Sequence, residues 1–122
     1  MTDNIARILK TLTTRTLAKE AIWINTARDT EYQLRLPSGR ITVDHWFQPG
    51  QQGPEEFADF RIYNSDGLEI ASESGEPGSE DFKQIVSLHD AIVTRKLNVN
   101  ETLAGLEKDI LAQGTIGDEI PF

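Results

Sequence analysis

Two histidines are the side chains of this 122-residue chain whose ordinary pKa lies nearest neutrality, and each stands beside an aspartate, as Asp44-His45 and His89-Asp90. A histidine and a carboxylate held together can relay a proton or, with a third donor, bind a metal ion. Neighbours in sequence do not form such a pair by themselves, because adjacent strand residues point to opposite faces and adjacent helix residues diverge by about 100°. His89 falls on the apolar stripe of a predicted helix and His45 on the apolar face or edge of a predicted strand, so both read as hydrogen-bonded core histidines. Nothing in the sequence singles out a third metal ligand, and neither a metal nor another cofactor is expected. The remaining options for chemistry are thin. There is no Gly-x-Ser-x-Gly elbow, no glycine-rich phosphate loop and no dinucleotide fingerprint after a strand. Glu55, Glu56, Asp59, Glu69 and Glu73 fall on predicted loops and outward strand positions, where a carboxylate is simply solvated. The residues point away from an enzyme.

Composition narrows the class further. A chain of this length buries one core without staples, and zero cysteines exclude disulfides, a Cys-based zinc site and a thiol nucleophile. No signal-like segment and no apolar run of membrane-spanning length is present, so a cytoplasmic protein that does not enter a membrane is the expectation. The net charge of −8 is uneven: residues 1–45 carry +2 and residues 46–122 carry −10. The second part repels phosphate. The bases of the first part, Arg7, Lys10, Arg15, Lys19, Arg28, Arg35 and Arg40, are dispersed among hydroxyl and acidic residues and read as a solvated face, so direct nucleic-acid binding is not expected.

The strongest functional signal is Gly117-Asp118-Glu119-Ile120-Pro121-Phe122. If Phe122 ends in a free carboxylate, a receptor needs an apolar pocket for the ring beside an Arg or Lys for the charge. Pro121 stiffens the approach and biases Ile120 to an extended conformation, while Asp118 and Glu119 steer toward a basic rim and make docking salt-sensitive. These six residues resemble the C-terminal tip of bacterial single-stranded DNA-binding proteins, in which an acidic run leads into the same Ile-Pro-Phe. The resemblance implies protein partners among DNA-repair and replication enzymes, with Asp118, Glu119, Ile120, Pro121 and Phe122 as the docking residues. The alternative is that Ile120 and Phe122 fold back onto the chain's own body. A second candidate surface comes from the strand pattern: Trp46 and Tyr63 alternate with apolar neighbours, so together with Arg35 and Arg61 they mark a sheet face open to a peptide or a base, or covered by a loop or by a second copy in a homo-oligomer.

The elements that position these residues follow from periodicity. Ile5, Ile8, Leu9 and Leu12 predict an N-terminal helix capped by Asp3 and ending near Lys19. From Trp23 the period becomes twofold. A short strand over Ala21–Asn25 is followed by a hairpin, in which Tyr32, Leu34 and Leu36 turn at Pro37-Ser38-Gly39 into Ile41, Val43, His45 and Phe47. In a second hairpin Phe60 and Ile62 turn at Asn64-Ser65-Asp66-Gly67 into Leu68 and Ile70. Between the hairpins, Gln48 to Glu56 carries two prolines and two glycines and reads as a polar loop. Ser79 caps a helix whose stripe is Phe82, Ile85, Val86, His89, Ile92 and Val93; a break at Asn98-Val99-Asn100 precedes a last helix with Leu103, Leu106, Ile110 and Leu111, ended by Gly114. The expected architecture is α+β, one domain over residues 1–114 with an antiparallel sheet of four to five strands and two C-terminal helices packed on one face, then a tail over residues 115–122.

Overall fold

The computed structural model describes residues 1–97 and 99–117; Asn98 and Asp118–Phe122 lie outside the described residues. The chain order is α1 (Asp3–Leu17), β1 (Ile24–Asn25), β2 (Glu31–Leu36), β3 (Gly39–Gly50), β4 (Gly53–Asn64), β5 (Glu69–Ser74), α2 (Glu80–Leu97) and α3 (Val99–Leu111). This is the expected α+β fold. The five strands form one antiparallel sheet in the order β1-β2-β3-β4-β5, so every strand pairs with its neighbours in sequence.

Local chemistry sets the boundaries. α1 is capped by Thr2, whose Oγ1 accepts the Ile5 N–H at 3.3 Å, while Asp3 sits in the first turn rather than at the cap. It stops where Lys19 adopts φ 62°, a left-handed conformation that closes the last turn. Ser79 Oγ accepts the Phe82 N–H at 3.2 Å and starts α2. The Asn64 side chain accepts the N–H groups of Asp66 and Leu68, both at 3.0 Å, and holds the β4–β5 turn together with Gly67 at φ 84°.

The core lies between one sheet face and the layer formed by α1 and α2. Tyr32, Leu34, Ile41, Val43, Ala58 and Phe60 come from the sheet, Leu9 from α1, and Phe82, Ile85, Leu88 and Ile92 from α2, with Trp23 closing one edge. Trp23 keeps its indole N–H satisfied by donating to the buried Thr16 hydroxyl at 3.0 Å. No described helix is long and apolar enough to cross a membrane.

Three expectations are corrected. Gln48–Glu56 is not a loop: β3 and β4 run on as a two-stranded ribbon, pairing Gln48 with Glu55, Pro49 with Pro54 and Gly50 with Gly53 around a Gln51-Gln52 reversal. The prolines are tolerated because β2 pairs with β3 only as far as Asp44 and β5 with β4 only from Asp59, so neither proline removes a bond to a third strand. Second, Leu68 and Ile70 do not face the core. A bulge at Ile62/Tyr63 shifts the register so that Ala71 pairs with Ile62, leaving Ile70 65% exposed on the edge strand. Third, of the two C-terminal helices α2 is the one that contacts the sheet, with α1 packed against α2; every described side chain of α3 from Glu101 to Leu111 is exposed. Of the break expected at Asn98-Val99-Asn100, Asn98 falls outside the described residues, while Val99 and Asn100 begin α3.

Candidate functional site

The outer sheet face carries Thr42, Asp44 and Trp46 on β3 opposite Arg61, Asp59 and Phe57 on β4. Trp46 and Tyr63 do share this face, as the alternation requires, but they sit at opposite ends: Trp46 pairs with Phe57, and Tyr63 pairs with Arg40, six residues back along β3. At the strand rise this separates them by about 20 Å, too far for one base or one side chain to touch both. Each ring is also partly occupied. Trp46 stacks on Phe57 with centroids 5.4 Å apart, and the Arg28 guanidinium lies 4.8 Å from its centroid. Arg40 lies 3.8 Å from the Tyr63 centroid. Thr42 and Asp44 on this face are buried and Trp46 is half-buried, whereas Arg35 is exposed on β2.

Beneath Arg28 lies a buried carboxylate. Asp44 is 2% exposed, and its Oδ2 accepts from Arg28 Nη2 at 3.0 Å, while Oδ1 has no hydrogen-bond partner among the described residues. Its cross-strand neighbours are Glu31 and Asp59, so one row of the sheet carries three acids. Arg61 lies 3.4 Å from Asp59, and Glu31 accepts from the Thr26 hydroxyl at 2.7 Å. The Arg61 guanidinium is held in its charged form by Tyr63, with Asp59 and Glu69 acting in the same direction against partial burial.

The helix-facing side carries the feature that sequence reading missed. His45 on β3 and His89 on α2, 44 residues apart in the chain, meet with ring centroids 5.4 Å apart and planes at 81°. His45 Nε2 pairs with Glu56 Oε2 at 2.6 Å, and His89 Nε2 donates to the Thr30 carbonyl at 2.7 Å. Both histidines read as structural from the sequence, and both are hydrogen-bonded; what periodicity could not give is the packing of α2 across β3 that sets one ring against the other. Burial pushes the His89 imidazolium pKa below its ordinary 6.5, His45 adds to the lowering, and the Thr30 carbonyl, Asp90 and Asp44 oppose it. The folded pKa is therefore below the unfolded one, so the unfolded chain binds the extra proton first. Stability from this site is complete above about pH 6.5 and declines as pH falls below that value toward the folded pKa. Urea midpoints measured from pH 7.5 to 5.5 should fall in the wild type, and the fall should be smaller in His89→Gln.

The third candidate, Asp118–Phe122, lies outside the described residues. The structure does describe what carries it. On α3, Glu101 pairs with Lys19 at the end of α1 and, at 3.3 Å, with Arg95 of α2; hydrogen bonding to the Lys19 ammonium holds the Glu101 carboxyl pKa low. Leu103, Leu106 and Ile110 lie on roughly the opposite side of the helix, at 60%, 51% and 64% exposure. Glu101, in the first turn, thus ties α3 to the body, and the apolar stripe looks outward. Residues 112–117 are exposed as well.

A groove of about 690 Å³ between α1 and α2 is lined by Arg7, Lys10 and Lys83 together with Asp3 and Glu80, and its mixed charge favours no single ligand. No protein-family model, no curated protein and no solved structure matches the chain.

Proposed function

We propose that this is a non-enzymatic interaction protein of DNA metabolism whose Asp118-Glu119-Ile120-Pro121-Phe122 segment docks on enzymes that read the tip of single-stranded DNA-binding proteins. The observation that carries the reading is the acidic Ile-Pro-Phe sequence itself, which combines an apolar ring, a stiffened approach and flanking negative charge. The stand-off of α3 supports it. An exposed 13-residue helix adds about 20 Å of arm at 1.5 Å per residue, so the segment is tethered by α3 and residues 112–117 rather than by the tail alone. The acidic second part of the chain fits a protein partner with a basic rim and disfavours direct contact with phosphate.

The reading requires the Phe122 carboxylate to be free. In fluorescence competition, the full chain should displace a labelled tip peptide from a tip-reading helicase or exonuclease, with affinity of roughly micromolar order. Deleting Phe122, or appending residues after it, should abolish displacement; displacement that survives either change would overturn the proposal. The alternative is a homo-oligomeric binding domain with the tail packed on its own body. Its one support is the outward apolar stripe of α3, although Glu107 and Asp109 flank that stripe and would oppose self-pairing. On that reading sedimentation gives a dimer and the labelled peptide stays bound.

A further inference from the structure

Among the described residues, one group of three side chains places potential metal-ligand atoms together: a ring nitrogen of His45, a ring nitrogen of His89 and a carboxylate oxygen of Asp90 all lie within 4.8 Å of one another. The trio joins two layers of the fold, since His45 belongs to β3 and the other two to α2. Asp90 is directed away from the core and exposed, whereas His89 is 7% exposed and the His45 side chain 14%. An ion held there has a route in from solvent on the aspartate side and an apolar wall behind it. Phe47 and Phe82 flank the His45 ring, with centroids at 5.3 Å and 6.4 Å, and Tyr32 flanks the His89 ring at 5.3 Å.

The hydrogen bonds around the two rings determine which nitrogen each presents. His89 Nε2 faces a carbonyl, which can only accept, so the proton is on Nε2 and the lone pair of the neutral ring is on Nδ1. His45 Nε2 faces the Glu56 carboxylate, and the same assignment follows for the neutral ring. A backbone carbonyl behind one imidazole and a carboxylate behind the other are the outer partners that fix ring orientation and raise donor strength in histidine metal sites. A core histidine pair needs only to be satisfied by hydrogen bonds. Here each ring is satisfied through one nitrogen, and a carboxylate stands within reach of both rings.

We propose that His45 Nδ1, His89 Nδ1 and the Asp90 carboxylate bind a first-row divalent cation, of which Zn²⁺ suits two imidazoles and one carboxylate, with solvent completing the coordination. Zinc–nitrogen bonds of about 2.0–2.1 Å place two ligand nitrogens roughly 3.4 Å apart in a tetrahedral site. One ring nitrogen of each histidine and the carboxylate already lie within 4.8 Å, so that spacing is within reach of rotation at the exposed Asp90 and adjustment of the two rings. Because the ligands come from β3 and α2, bound metal would tie the helix layer to the sheet and raise stability by linkage.

The test uses the tag-free full chain, stripped with chelator and titrated with ZnCl₂ alone. Calorimetry should give one ion per chain, and the thermal midpoint should rise with zinc. Long-range ¹H–¹⁵N spectra of the imidazoles should show the Nδ1 resonances of His45 and His89 shifting together while both Nε2 sites remain protonated. Asp90→Asn, an exposed substitution that leaves packing intact, and Glu56→Gln, which alters only the outer partner of His45, should each weaken binding about tenfold or more. The proposal is overturned if zinc leaves both histidine spectra unchanged, or if uptake is the same in wild type and Asp90→Asn.

Discussion

Phe60→Ala is expected to lower the unfolding free energy by about 3–5 kcal/mol, the range for emptying a buried aromatic site. Phe60 is 1% exposed and sits in the middle of β4, paired with Val43 on one side and Glu73 on the other, so its ring enters the core at the centre of the β3–β4 pairing. α2 packs on β4 and places the fully buried Ile85 in the same core cluster, and a close-packed core collapses only partly into a void. Small domains are stable by only about 5–15 kcal/mol, so the substitution removes a large share of the total. Chemical denaturation at pH 7.5 checks the size. A control at Ile70, which is 65% exposed on the edge strand, should cost within about 0.5 kcal/mol when changed to Thr. Equal effects at the two positions would mean that the register shift at the Ile62/Tyr63 bulge is misplaced.

Arg28→Ala is expected to destabilise by about 2–3 kcal/mol, through the partner it leaves behind rather than through its own lost contacts. Asp44 is 2% exposed, lies between Glu31 and Asp59 across the strands, and has Arg28 as its ion-pair partner. Truncating the arginine strands a carboxylate among like charges and uncovers one side of Trp46. The effect is placed below the full range for a buried pair because the Arg28 side chain is itself 53% exposed and its charge is partly screened. The double variant Arg28→Ala/Asp44→Val should be more stable than Arg28→Ala alone, since the second change removes the stranded charge and supplies a β-branched side chain to a strand. Simple additivity of the two single changes would show that Asp44 is solvated by another route.

Much of this architecture was legible in the residues. The inward set Ile41, Val43, His45 and the outward set Thr42, Asp44, Trp46 follow from strand alternation alone, because a pleated strand has no other way to present them. Ser79 announced α2 because its hydroxyl supplies an acceptor that the first helical turn lacks. The failures have a common cause, which is that local composition does not report which neighbours a segment acquires. Pro49 and Pro54 argue against a strand only if a third strand needs their missing donors, and here none pairs there. Leu68 and Ile70 continue the alternation of Phe60 and Ile62 only if the ladder beyond the turn is regular, and the bulge leaves Ile70 as an unpaired extra residue on β5. Leu88 is fully buried yet lies beside the stripe drawn through Phe82, Ile85 and His89, because α2 is covered by α1 as well as by the sheet and so buries a wider arc than one contact face. The meeting of His45 and His89 belongs to the same class: each residue is explicable where it stands, but their proximity is a property of how α2 lies on β3.

The strand order of the sheet bears on how the chain folds. Each pairing from β1 to β5 joins segments adjacent in sequence, so the sheet can close turn by turn, and closing such short loops is fast. α1 has no such neighbour. It reaches α2 across the whole sheet, as in the contact of the Met1 amino group with Asp81 at 3.4 Å, 80 residues apart in sequence. That closure spans the longest loop in the topology and carries the largest loop-closure entropy. The helix at the start of the chain therefore depends for its packing surface on a helix near the other end, and without that contact Leu9 and the inner side of α2 would be open to water.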